Sequence, residues 1–139
     1  MITSIVRRLA TLCFITGVGS IYLMAQGPLQ ATIPFDFTIG SKSFTPGKYL
    51  LRPEVMQSVL AVQSVDGKSG AMTLTRPVQA SKMSSARLIF NRYGDRYFLS
   101  QVWANGNQGR ELLPSSAERE LIAKTRPPKA VALVASDQE

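Results

Sequence analysis

Two β-rich runs meeting at Gly94-Asp95 constrain this chain more than any other feature. From Ala86 to Trp103 it reads Ala-Arg-Leu-Ile-Phe-Asn-Arg-Tyr-Gly-Asp-Arg-Tyr-Phe-Leu-Ser-Gln-Val-Trp. A two-residue loop at Gly94-Asp95 predicts a hairpin in which Tyr93 faces Arg96, Phe90 faces Leu99, Leu88 faces Gln101 and Ala86 faces Trp103. One face then carries Leu88, Phe90, Leu99 and Trp103. The other interleaves Ile89, Phe98 and Val102 with Arg87, Asn91 and Ser100, a mixture too apolar for open solvent and too polar for a deep core. That suits the central hairpin of a two-layer or closed all-β domain. Burying a Phe or Leu side chain is worth roughly 1.5 to 3 kcal/mol, and no other stretch offers as many such side chains.

Whole classes of chemistry are absent from the composition. The chain has no histidine, and its one cysteine, Cys13, lies in an N-terminal apolar run. A histidine-based triad, a cysteine nucleophile, a zinc site built on His or Cys, and an intrachain disulfide are thereby excluded. The fold must be held by its core alone. No cofactor-binding motif is present: Gly106 and Gly109 lack the Lys-Ser/Thr and the strand-loop-helix context of a phosphate loop.

The N-terminus combines Arg7-Arg8, an apolar run from Leu9 to Met24, and Ala25 followed by Gln26-Gly27-Pro28. This is the pattern of a secretory signal peptide over residues 1–25, which would engage the membrane during export. An uncleaved inner-membrane anchor formed by residues 9–24 is the competing reading, since the run approaches the shortest spanning length. After removal of residues 1–25 the remainder is one domain in size, expected over residues 26–124. It carries 14 Lys and Arg against 9 Asp and Glu, a net +5 spread along the chain. Such a spread reads as solubility before it reads as a polyanion site.

Along the rest of the chain, Ala31 to Ile39 alternates, with Ile33, Phe35, Phe37 and Ile39 on one side, and predicts one half-buried strand, with Pro34, which has no N–H to donate, placing it at an edge or at its start. Thr45-Pro46-Gly47-Lys48 predicts a type II turn. Asp66-Gly67 predicts a hairpin in which Val59 and Ala61 face Leu74 and Met72, its second strand ending at Arg76-Pro77. Gln79 to Ser85 and Ala104 to Arg110 read as loops. Ser115-Ser-Ala-Glu118 is a capping box, with Glu118 reaching back to the N-cap, and opens a helix to about Lys124. Residues 125–139 read as a C-terminal tail, in which Val-Ala-Leu-Val has no turn signal to place it as a strand. The class is therefore all-β: an antiparallel meander forming a small sandwich or barrel, with one short C-terminal α-helix.

For catalysis only carboxylates remain. Asp66 and Asp95 are turn residues, Glu118 is a cap and Glu120 lies on the helix face, which leaves Asp36, Glu54 and Glu111 at no informative spacing. No catalytic or metal-binding residue is assigned, and a carboxylate-based hydrolase is the third-ranked reading. At the hairpin tip Arg92 is expected to face Tyr97 and Arg96 to face Tyr93. With Arg87 these form a candidate ligand or polyanion contact: Arg87, Arg92, Tyr93, Arg96 and Tyr97. Cross-strand Arg-Tyr packing is the simpler account of the same residues.

Two stretches also carry a family pattern: Ile33-Pro-Phe-Asp-Phe-Thr-Ile-Gly40 with Thr45-Pro-Gly-Lys-Tyr49, and Phe90-Asn-Arg-Tyr-Gly-Asp-Arg-Tyr-Phe-Leu-Ser100 with Trp103 and Gly109-Arg-Glu-Leu112. In these the chain resembles a group of uncharacterised exported bacterial β-rich proteins, over roughly Ile33 to Lys124, departing at Thr45 only in turn chemistry. The resemblance implies export and a shared fold, and transfers no site. The leading expectation is an exported, non-catalytic β-domain, periplasmic or extracellular, that binds or packs into a cell-envelope component. A polyanion-binding module is the alternative, and no specific nucleic acid is expected.

Overall fold

The computed structural model describes residues 28–53, 58–124, 127–134 and 136–137. The signal or anchor segment, its cleavage point after Ala25, and Glu54 lie outside these residues.

The chain is all-β with one short helix. In order it forms β1 (Leu29–Ile33), β2 (Phe37–Ile39), β3 (Lys42–Phe44), β4 (Gly47–Pro53), β5 (Val59–Ser64), β6 (Gly70–Ser84), β7 (Arg87–Tyr93), β8 (Arg96–Leu112), α1 (Ser116–Lys124), β9 (Lys129–Val134) and β10 (Ser136–Asp137). All ten strands belong to one open sheet. Its first half is β10-β1-β4-β5 with the start of β6. Its second half is β3-β2-β8-β7-β9, and the end of β8 returns to pair with the end of β6. The sheet folds over so that the two halves share one core: Tyr49 of β4 lies edge-on to Phe37 of β2 and Phe44 of β3, at centroid distances of 5.0 and 5.7 Å. Phe37 is the hub, also stacked on Phe44 at 5.2 Å and edge-on to Phe90 at 5.8 Å.

Connectivity departs from a pure meander. The Ala31–Ile39 alternation sets burial correctly, with Ile33, Phe37 and Ile39 all buried, but it spans two strands. Pro34 to Asp36 carry the chain from β1, beside β4, to β2, which runs parallel to β8 at Thr38 and Phe98. A proline that cannot donate to a ladder sits where the ladder changes partner. Gly40 has φ +62 and turns β2 into β3, whereas Gly47 has no positive φ, so the predicted type II turn does not form there. Instead the Tyr49 hydroxyl donates to the Thr45 carbonyl at 2.5 Å.

Two segments read as loops are strand. β6 continues through Pro77 to Ser84, and β8 continues through the Gly/Asn-rich stretch to Leu112. Beyond Leu74, β6 pairs with β8 and no longer with β5, so Pro77 can leave its unpaired side open. Gly109 serves a close approach: a Cβ there would lie 2.6 Å from the Trp103 ring.

The 125–139 tail is corrected most. Its Lys129–Val134 stretch is β9, antiparallel to β7 from Arg87–Val134 to Arg92–Lys129, and Ser136 and Asp137 pair with Gln30 and Leu29. The domain therefore extends past residue 124 to Asp137.

Candidate functional site

At the tip of the β7–β8 hairpin the predicted register holds, and Gly94, φ +64, makes the turn. Tyr93 pairs with Arg96, Arg92 with Tyr97, Asn91 with Phe98 and Phe90 with Leu99; then a bulge at Ser100 shifts the ladder, so that Ile89 pairs with Gln101, Leu88 with Val102 and Arg87 with Trp103. An extra residue on one strand exchanges the faces beyond it. Val102 thus joins Leu88, Phe90 and Leu99 in the core, while Trp103, expected on that face, moves to the opposite one.

This splits the five candidate residues. Arg92 and Tyr97 stand on the core-facing side, at its rim; Arg87, Tyr93 and Arg96 stand on the outer side. The Arg92 guanidinium lies 5.5 Å from the Tyr97 centroid, and its Nε donates to the Gly94 carbonyl at 2.7 Å. Tyr97 is stacked on Phe35 at 3.9 Å, and Phe35 is edge-on to Phe90 at 5.1 Å. On the outer side Arg87 lies 4.9 Å from the Trp103 ring and Arg96 5.1 Å from that of Phe98. Trp103 Nε1 donates to Gln101 Oε1 at 3.0 Å.

Tyr93, read as a candidate surface contact, does not lie on the surface. It is buried under α1, edge-on to Phe98 at 5.7 Å, and its hydroxyl donates to Glu118 Oε1 at 3.0 Å. Asn91 Nδ2 donates to the same oxygen at 3.2 Å. Ser115 Oγ accepts from the Glu118 N–H at 3.2 Å, as an N-cap does, but the Glu118 carboxylate is spent on the hairpin rather than on the second half of a capping box. Burial, reinforced by the Glu118 hydrogen bond and charge, pushes the Tyr93 hydroxyl up to about 12.

Among the other described carboxylates, Glu111 and Asp66 are engaged and Asp36, Asp95 and Glu120 are exposed. Glu111 accepts from Arg76 at 2.6 Å. Asp66 accepts from the Ser64 hydroxyl and the Lys68 N–H, which hold its carboxyl below the usual range. Asp36 and Asp95 are exposed. Among the described residues no three His, Cys, Asp or Glu side chains gather as metal donors, and no helix is long and apolar enough to cross a membrane.

Sequence reasoning missed Lys129. As the β9 partner of Arg92 it shares a row with Arg92 and Tyr97, on one face of the sheet. Its signal would have been the pairing of β9 with β7, which no local turn announces. No family model matches the chain, and no curated protein or solved structure matches it.

Proposed function

We propose that the chain is an exported, non-catalytic β-domain, periplasmic or extracellular, that acts by binding or by packing into the cell envelope. The observation that carries this reading is the placement of the carboxylates. With histidine absent and Cys13 in the apolar run, they are the leading side chains for acid–base hydrolysis. Glu118 and Glu111 are engaged in structural contacts, Asp66 closes its own turn, and Asp36 and Asp95 stand exposed. Export is supported by Arg7-Arg8 and the apolar run that follows.

Native mass spectrometry of the protein recovered from producing cells is expected to show a chain lacking residues 1–25, with no turnover of ester, peptide or glycoside substrates. A mass that retains residues 1–25 would favour the anchor at residues 9–24. A hydrolytic activity lost on Asp36→Asn or Glu111→Gln would replace the non-catalytic reading with the hydrolase.

A polyanion-binding role is the second reading, favoured by the exposed basic side chains Arg92, Arg96 and Lys129 around the hairpin tip. Retention on heparin is then expected to fall with rising salt, and to fall further when Arg92 and Arg96 are both replaced by Ala. Equal retention of parent and double variant would remove this reading.

A further inference from the structure

We propose that the Lys129–Arg92–Tyr97 row at the rim of the core is a binding site for a phosphate group, an inference that rests on the polyanion-binding reading and gives it a place and a chemistry. Cross-strand partners on one face hold their Cβ atoms about 5 Å apart, and like charges there oppose pairing. Lys129 and Arg92 are such partners, and both are exposed. Among the described residues no carboxylate neutralises them: the ion pair is Arg76 with Glu111, and neither Asp36 nor Asp95 pairs with either cation. A local rule broken without compensation inside the fold points to a group supplied from outside.

Arg92 is also held in place. Its Nε is committed to the Gly94 carbonyl, which leaves both terminal nitrogens of the guanidinium to donate outward. Behind it stands Tyr97, stacked on Phe35, which is packed in turn on Phe90. The ring already has two neighbours, so it serves as a wall and not as a surface on which a ligand ring stacks. Charge then selects the ligand. A carboxylate would be satisfied by Arg92 alone, whereas a phosphate offers more oxygens and up to two negative charges, matching a forked guanidinium and a mobile ammonium side by side.

The test uses the full chain, with Arg92→Gln and Lys129→Gln combined, and Lys82→Gln as the control that removes an exposed positive charge elsewhere on the sheet. In one arm, inorganic phosphate is titrated and followed by phosphorus NMR line width. In the other, the measured quantity is the increment in vesicle binding that phosphatidic acid adds over phosphatidylcholine alone. The double variant is expected to weaken binding about tenfold or more, and Lys82→Gln by less than about twofold. Loss in the double variant in both arms supports a site for the phosphate group itself; loss confined to the vesicle arm supports the site with the phosphate presented by a lipid surface. No binding in either arm, unchanged binding by the double variant, or an equal loss in Lys82→Gln overturns the proposal. Heparin retention that stays salt-sensitive and falls on Arg92→Ala with Arg96→Ala, while neither arm shows binding, overturns the phosphate site and leaves the polyanion-binding reading standing.

Discussion

The two halves of the sheet treat their outer faces differently. In the second half that face carries Tyr93, Phe98 and Trp103, all nearly out of reach of water: Tyr93 is tied to α1 through Glu118, Arg96 lies against the Phe98 ring, and Trp103 lies between Arg87 and the close-packed Gly109. In the first half the corresponding face carries Met72 at 68% and Leu74 at 60% exposure, opposite Ala61 and Val59, with no element over them among the described residues. In the sequence Val59, Ala61, Leu74 and Met72 read as the apolar face of the 66–67 hairpin, and Ile89, Phe98 and Val102 as the mixed face of the 94–95 hairpin. Part of the difference comes from a helix whose contact with the hairpin runs through a buried carboxylate, and part from the two arginines laid against the rings. Among the described residues, the outer face that polar anchors reach is covered and the one they do not reach is exposed.

The contrast is most sharply broken at Glu118. Glu118→Ala removes the acceptor shared by Tyr93 and Asn91, orphans two donors and should destabilise the domain by about 2 to 3 kcal/mol in denaturant melts. Glu118→Gln keeps an acceptor oxygen and should cost distinctly less. Gly109→Ala follows at about 1 to 3 kcal/mol, because its Cβ must displace the Trp103 indole. The accompanying red shift of Trp103 emission would show the cover opening; an unshifted spectrum would contradict the close approach.

Next comes the pH dependence of Tyr93. Its folded value of about 12 lies above the ordinary 10.0, so the folded state holds this proton longer than the unfolded chain does. The stability it contributes is complete below pH 10 and lost as pH rises toward about 12. Ultraviolet titration should show one tyrosine ionising late. Tyr93→Phe should abolish that late step, and Glu118→Gln should bring it down by removing the neighbouring charge. The smallest effect is expected on the bare face, where Met72→Thr should stay within about 0.5 kcal/mol of the parent. A cost like that at Glu118 would mean that this face is also covered, and the comparison would fail.

What was legible in the sequence follows local geometry. The tip of the 94–95 hairpin, the register of β5 against β6 and the N-cap of α1 are each set by residues a few positions apart, so glycine, turn and capping chemistry announce them. The bulge at Ser100 was not legible, because nothing in Leu99-Ser100-Gln101 requires an extra residue until the faces on either side have been assigned. Pro77 and the Gly/Asn stretch of β8 carry breaker residues, yet they stay extended because each is the other's ladder partner. β9 escaped for the same reason at longer range, and with it Lys129: its partner strand ends at Tyr93, far back in the chain, and no turn connects them. The candidate site was thus half readable, its arginine and tyrosine from the hairpin, its lysine only from the fold.

The pairing of Leu29 and Gln30 with Asp137 and Ser136 carries one more implication. The β1 strand has its second neighbour only after residues 136–137 have been synthesised, so that edge of the sheet stays unzipped until β10 has emerged. The same adjacency makes the start and finish of the domain a natural splice. A short linker from residue 137 to residue 28, with new ends opened in the 64–69 turn, would keep every rung of the sheet in register.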